Sequence, residues 1–193
     1  MCGRFLLDPT DSKEIEEIIR KIEAKNQEIK TGEIFPTNTV PLLVGTSDHD
    51  IDVEAMAWSF HGFKKSQSII NARSETVTEK KMFAKAFSST RCVLPTSGFY
   101  ERDQEKRKFL FREKDSEILY LAGFYKKFED GNRSIILTTA ANKSIEAIHN
   151  RVPVILEKET IDRWLFDDQF AEDYLKELMP ELINNVHIRD LLK

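Results

Sequence analysis

The chain has little of what several common chemistries require. Its 193 residues include only two cysteines, Cys2 and Cys92, and four histidines. None of them falls into a CxxC, HExxH or HxE-with-PCxxC spacing, so no metal site is expected. A GxxxxGK[ST] loop, a GxGxxG turn after a strand and a GxSxG elbow are also missing. With them go the usual signatures of nucleotide hydrolysis, dinucleotide redox chemistry and lipase-type catalysis, and no cofactor is expected. The longest apolar runs fall far short of the roughly 20 residues that cross a bilayer, so no membrane partner is expected. Neither the 7 glycines nor the 6 prolines recur with a period, and 40% of the residues are hydrophobic, which excludes fibrous and disordered classes. The opening MCGRFLLDPTDSKE puts charges and a proline where a secretory signal needs an apolar stretch, so an intracellular protein with free thiols is expected.

What is present suits one compact domain over residues 1–193, with 32% charged residues around enough apolar material for a core. The net charge is −4, but it is unevenly spread. Residues 61–113 hold 12 basic side chains against 6 acidic, whereas residues 1–60 hold the reverse. A local positive field of this kind attracts a polyanion because salt screens the rest of the molecule beyond about 8 Å. A solvated lysine-rich face would look the same.

Ile15, Ile18, Ile19 and Ile22 recur at helical spacing, with Thr10, Asp11 or Ser12 as cap, and predict an amphipathic helix near the N-terminus. Runs 39–44 and 51–59 read as strands, the second alternating with Ile51, Val53, Ala55 and Ala57 on one face. Residues 78–87 read as a short helix. The segments RCVLP, KFLFRE, ILYLAGFYKKF and RSIILTTA read as an antiparallel meander, its last turn marked by Asp130-Gly131. SIEAIHN reads as one or two helical turns and VPVIL as a strand, with two helices over residues 157–178 broken near Asp167-Asp168. The absence of a βαβ rhythm predicts an α+β fold around a curved, barrel-like, mostly antiparallel sheet flanked by helices.

Cys2 becomes the N-terminal residue if Met1 is removed. It would then carry an α-amine with a pKa near ~8 beside a thiol near ~8.5, two nucleophiles on adjacent carbons. The amine can condense with an aldehyde to an imine and the thiol can close a thiazolidine ring, or the amine can serve as base for the thiol in an N-terminal nucleophile hydrolase. Three further segments put polar groups in apolar surroundings. In INARSET, Asn71 and Arg73 share a face if extended and suit a phosphate or an oxygen-rich substrate. In TSGFYER, Glu101 follows Gly98 as a general acid or base. In AIHNRVPVIL, His149 precedes Arg151 and exchanges protons near neutral pH. A capping Asn71, an Arg73–Glu75 ion pair and a hydrogen-bonded core histidine are the structural alternatives.

Met1-Cys2-Gly3-Arg4-Phe5, Asn71-Ala72-Arg73-Ser74-Glu75-Thr76, Gly98-Phe99-Tyr100-Glu101 and His149-Asn150-Arg151-Val152-Pro153 together resemble the SOS response-associated peptidase (SRAP) family, in the family's order. The resemblance implies a sensor of abasic sites in single-stranded DNA, in which Cys2 captures the ring-opened aldehyde as a covalent thiazolidine and shields the lesion. It also implies an associated lyase activity and self-removal of Met1. By the same resemblance Asn71 and Arg73 hold Cys2 and the DNA, Glu101 assists proton transfers, and His149 acts near the sugar hydroxyl. Gly3, Arg4, Asn38, Arg151 and the Lys81-Met82-Phe83 segment match DNA-contacting positions. A cytoplasmic protein, associated with the nucleoid when bound to DNA, is implied, and one subunit suffices for the chemistry. Two departures stand out: Trp58-Ser59-Phe60-His61-Gly62-Phe63 replaces a Trp-Gly segment followed by proline and aromatics, and Arg102 replaces a tryptophan. A peptidase using Cys2 on protein substrates and a non-catalytic single-strand binder are the alternatives.

Overall fold

Short β-rich runs separated by polar turns fold here into two large sheets and a small two-stranded ladder among the described residues. In the computed structural model, which describes residues 2–62 and 67–186, the chain runs β1 (Arg4–Leu7), α1 (Lys13–Ala24), β2 (Gly32–Ile34), β3 (Thr39–Gly45), β4 (Ile51–Trp58), β5 (Phe60–His61), β6 (Ser68–Ile69) and β7 (Asn71–Arg73). It continues through α2 (Ala84–Ser89), β8 (Arg91–Thr96), β9 (Gly98–Arg102), β10 (Lys108–Glu113), β11 (Leu119–Phe128), β12 (Gly131–Ala140), β13 (Arg151–Pro153), β14 (Ile155–Leu156), α3 (Ile161–Phe166), α4 (Asp168–Tyr174) and β15 (Leu182–Val186).

The order β12-β4-β3-β8-β11 closes on itself through a β11–β12 pairing and makes a five-stranded barrel. Its pairings are antiparallel except β12–β4, where Arg133 and Ser134 lie opposite Ala57 and Trp58; β7 also joins β12 in parallel. By register Val40, Leu42, Leu94, Leu121 and Ile136 share one face of the closed sheet and are buried inside it, while Val93, Phe124 and Ile135 are buried on the other face, Phe124 against Phe60, Phe83 and Phe87. The expected α+β architecture with a curved, barrel-like, mostly antiparallel sheet is the one observed, and the barrel is closed. The β11–β12 hairpin turns at Glu129-Asp130, with Gly131 at φ +122°, a left-handed backbone that glycine adopts without steric cost.

A second sheet, ordered β15-β10-β9-β1-β2, stands against the barrel. Phe5 of β1 packs on Trp58 of β4 with centroids 5.0 Å apart, and the Ser97 N–H donates to Leu6 O at 2.8 Å. The chain leaves the barrel after β8 through Gly98, at φ +155°, where a Cβ would meet Phe111 O at 2.6 Å. Residues 91–140 therefore do not form the expected continuous meander: β9 pairs with β10 and β1, β10 with β9 and β15, while β8 pairs with β11.

Helix α1 forms as its periodicity predicts, with Ile15, Ile18, Ile19 and Ile22 buried and the Ser12 hydroxyl accepting the Glu14 N–H at 3.2 Å. Burial of each isoleucine contributes about 1.5–3 kcal/mol, and α1 thereby covers β3 and β4. Asp167 breaks the C-terminal helices and caps α4, accepting the Phe170 N–H at 3.0 Å. SIEAIHN forms the expected one or two turns, closed by the Glu146 N–H on Asn142 O and the His149 N–H on Ile145 O. Two local expectations are corrected. Helix α2 is confined to Ala84–Ser89, because residues 74–83 are taken up by a 3₁₀ turn and further turns. On β4, Ile51 is exposed while Met56 and Trp58 are buried; the strand is covered from both sides, which erases the alternation expected of a half-buried strand.

Candidate functional site

The site lies on the seam between barrel and second sheet. The registers place Arg4 opposite Tyr100, Tyr100 opposite Leu110 and Arg102 opposite Lys108. Residues two apart on a strand share a face, so Arg4, Tyr100, Arg102 and Lys108 stand together on one side of the second sheet. They line a cavity of ≈ 330 Å³ with Gly3, Glu101 and His149.

Cys2 lies directly before β1 and is 1% exposed. Its thiol donates to Arg4 O at 3.5 Å. Burial pushes the thiol well above its ordinary pKa, and the neighbouring Glu101 charge adds to the effect. From the barrel side, Asn71 at the start of β7 donates its Nδ2–H to Cys2 O at 2.8 Å. Asn71 thus ties a barrel strand to the N-terminal segment across 69 residues of sequence. Asn71 Oδ1 is buried and has no hydrogen-bond partner among the described residues.

Glu101 on β9 is 6% exposed, and burial raises its carboxyl from the ordinary range to about 7. The desolvated carboxylate is the costly form, so the proton is held to near-neutral pH. His149 Nε2 lies 4.0 Å from Glu101 Oε2. The Arg151 N–H donates to His149 Nδ1 at 3.0 Å, which makes Nδ1 the acceptor and puts the proton of the neutral ring on Nε2, facing Glu101. Burial lowers the His149 pKa below its ordinary value, so the ring is neutral at physiological pH.

Sequence reasoning singled out Cys2, Asn71, Glu101 and His149, and the fold brings these four together. Arg73, two residues beyond Asn71, is exposed and forms no hydrogen bond or ion pair among the described residues. Arg151 is differently engaged: its guanidinium forms a two-pronged pair with the Glu75 carboxylate and donates from Nη2 to Thr138 O at 2.5 Å. The structural alternative raised from sequence paired Glu75 with Arg73, but the partner is Arg151.

The remaining expected contacts lie apart from this cluster. Asn38 closes the β2–β3 loop by accepting the Phe35 N–H at Oδ1, 2.9 Å away. Lys81 is exposed and Met82 is half-buried before α2, whereas Phe83 is 6% exposed and belongs to an aromatic core with Phe60 and Phe124. Of the three residues matched to a DNA-contacting segment, Lys81 is thus the most open to solvent and Phe83 packs inward. Trp58 is fully buried, its Nε1–H donating to Ile70 O at 3.2 Å; Phe63, part of the same departure from the family pattern, lies outside the described residues.

Two residues escaped sequence reasoning. Glu33 Oε1 accepts from both Arg4 Nη1 at 3.0 Å and Lys108 Nζ at 2.7 Å. Burial works to raise the Glu33 carboxyl, but the hydrogen bonds and charges of Lys108 and Arg4 outweigh it and hold the group below its ordinary value. Lys108 is 7% exposed at the side chain and stands 4.0 Å from the centre of the Tyr100 ring. A lysine in the first position of the apolar segment KFLFRE was the available signal. Two cations share one carboxylate here, leaving a positive wall on the cavity.

The seam therefore combines a buried cysteine at the second position, an amide that fixes its carbonyl, an acid poised near neutrality, a neutral imidazole and a cationic wall. A family model described as SOS response associated peptidase (SRAP) matches residues 1–190. The chain is 33% identical over 198 residues to the abasic site processing protein YoqW of Bacillus subtilis strain 168, covering 93% of this chain and 86% of that protein. It is 25% identical over 177 residues to the abasic site processing protein YedK of Escherichia coli K12, covering 86% and 79%. A solved structure of a protein from Bacteroides thetaiotaomicron superposes with a TM-score of 0.79 at 22% identity, covering 99% of this chain and 94% of that one, and shares the fold.

Proposed function

Because the chain belongs to the SOS response associated peptidase family, we propose that it processes abasic sites by capturing the sugar aldehyde in single-stranded DNA through Cys2. Met1 must first leave, since an acylated nitrogen cannot form an imine. The freed Cys2 amine adds to the aldehyde carbon, and the resulting carbinolamine loses water to give the imine. The Cys2 sulfur then adds to the imine carbon while its proton passes to nitrogen, closing a thiazolidine ring. The net change is loss of one water.

The arrangement around Cys2 supports each step. A carboxyl titrating near 7 both donates a proton to the departing hydroxyl and takes one back, which suits Glu101. His149 directs its Nε2–H towards the same carboxyl. Asn71 holds the Cys2 carbonyl and with it the direction of the α-amine. Exposed Arg73 and the Arg4–Lys108 wall supply positive charge for phosphates.

The observation that carries this reading is the convergence of Asn71, Glu101 and His149 on the N-terminal cysteine. A buried thiol with a raised pKa is a poor free-standing nucleophile. It is adequate for an intramolecular addition to an imine on the same residue, which closes a five-membered ring, and this favours aldehyde capture over a peptidase acting on protein substrates. The imine also acidifies the sugar C2′ proton, so strand cleavage by β-elimination is the side path of the same intermediate.

A denaturing gel of the protein with a single-stranded oligonucleotide carrying one abasic site tests the proposal. A shifted band is expected for the wild type and none for Cys2→Ala. An unchanged shifted band with Cys2→Ala would overturn the role of Cys2, and peptide turnover without DNA would favour the peptidase.

A further inference from the structure

The β2–β3 loop holds an aromatic side chain away from the core. Phe35 is 41% exposed, whereas Ile34 beside it is fully buried. The loop is pinned: the Phe35 N–H donates to Asn38 Oδ1 at 2.9 Å, the Thr37 N–H to Trp58 O at 2.8 Å, and the Trp58 N–H to Asn38 O at 2.9 Å. Thr37 takes φ +77°, a left-handed backbone that costs a β-branched residue energy and persists because these bonds enforce it. Phe35 is therefore presented outward at a fixed place.

The guanidinium carbon of Arg4 stands over the Phe35 ring, 4.2 Å from its centroid. Glu33 anchors that guanidinium at 3.0 Å and binds Lys108 with the same oxygen. Arg4 and Lys108 line the cavity that also holds Glu101 and His149. Phe35 is thus one side chain removed from the reacting groups, with positive charge between. Among the described residues the other large exposed apolar side chains, Ile51, Leu178 and Ile183, lie elsewhere in the chain, so they do not extend Phe35 into an apolar groove of the kind that takes a peptide or a lipid surface.

We propose that Phe35, backed by Arg4, is a stacking platform for the unpaired nucleobase adjoining the abasic residue that enters the cavity. The inference rests on the aldehyde-capture reading above. A fixed aromatic face beside a cationic track is how single strands are held without sequence preference, because every base offers a π-face while the phosphates follow the charge. One guanidinium already covers one face of the ring, and a base extends the stack on the other. Loss of such a platform lowers affinity about ten- to a hundredfold.

The test uses short single strands bearing a central tetrahydrofuran, an abasic analogue without an aldehyde, so that binding is read apart from Cys2 chemistry. In one strand purines flank the analogue; in the other the two flanking positions are also tetrahydrofuran. By fluorescence anisotropy the wild type should prefer the purine-flanked strand about ten- to a hundredfold. Phe35→Ala and Phe35→Leu should lose this preference and Phe35→Trp should keep it, with all three melting near the wild-type temperature. Persistence of the preference in Phe35→Ala, or equal weakening of both strands, would overturn the platform. A wild type that crosslinks an abasic aldehyde yet shows no preference for flanking purines removes the platform alone. A wild type that neither binds nor crosslinks removes the aldehyde-capture reading and the platform with it.

Discussion

Asn71 Nδ2 donates to the backbone carbonyl of Cys2 at 2.8 Å, and this bond links β7, which joins the barrel at β12, to the N-terminal segment. Without Asn71, the N-terminal segment is steered from its own sheet alone. Asn71→Ala should slow adduct formation by about tenfold or more, since small misplacements of a reacting group carry large rate penalties. It should also lower stability by about 1 kcal/mol, the value of one hydrogen bond. Single-turnover adduct formation and thermal melting measure the two effects separately.

Glu101 titrates near 7 because burial penalises its carboxylate. Its folded pKa lies above the unfolded value, so its stabilising contribution is complete below about pH 4.5 and is lost as pH rises through 7. Over that window the cost approaches about 3 kcal/mol, taken from a shift of 4.5 to about 7. Glu101→Gln should therefore be more stable than the wild type at pH 8, by urea unfolding, and no more stable near pH 4. The same variant should form adduct about a hundredfold more slowly, the lower range for a general acid.

Arg73 and Arg151 should differ in kind. Arg73 is exposed with no partner among the described residues, whereas Arg151 is paired with Glu75 and Thr138. Arg73→Ala should reduce the slope of log affinity against log salt by about 0.7, one single-strand phosphate contact, and leave the melting temperature near wild type. Arg151→Ala should cost stability by about 2 kcal/mol, because Glu75 and the Thr138 carbonyl lose their donor, with little change in slope. Salt titrations of binding with paired melting curves distinguish them.

Cys2 and Cys92 are both buried free thiols, each pushed upward by desolvation. In protein that retains Met1, a thiol-reactive dye should label both at least about a hundredfold more slowly than in denaturant. Rapid labelling of Cys2 in the folded protein would contradict its enclosure.

Much of the barrel was legible in the sequence. The isoleucine stripe of α1, the β11–β12 hairpin at Asp130-Gly131 and the break at Asp167 are local signals that tertiary packing does not override. The second sheet was less so. Of its strands, β1, β2 and β15 have three to five residues, too short for a period to show, and the departure of β9 and β10 from the barrel depends on Gly98 and on pairing with β1 far away in sequence. The reactive cluster was legible because Cys2, Asn71, Glu101 and His149 interrupt apolar segments. Their partners were not: Glu33 and Lys108 meet across 75 residues, and Phe83 has the composition of a surface contact but sits in the core.

The intact mass of the protein, before and after mixing with a single-stranded oligonucleotide carrying one abasic site, tests the central claim most directly. The account predicts a protein lacking Met1 that gains the mass of the oligonucleotide less one water, in an adduct that survives denaturation. A protein correctly trimmed to Cys2 that stays unmodified would contradict it.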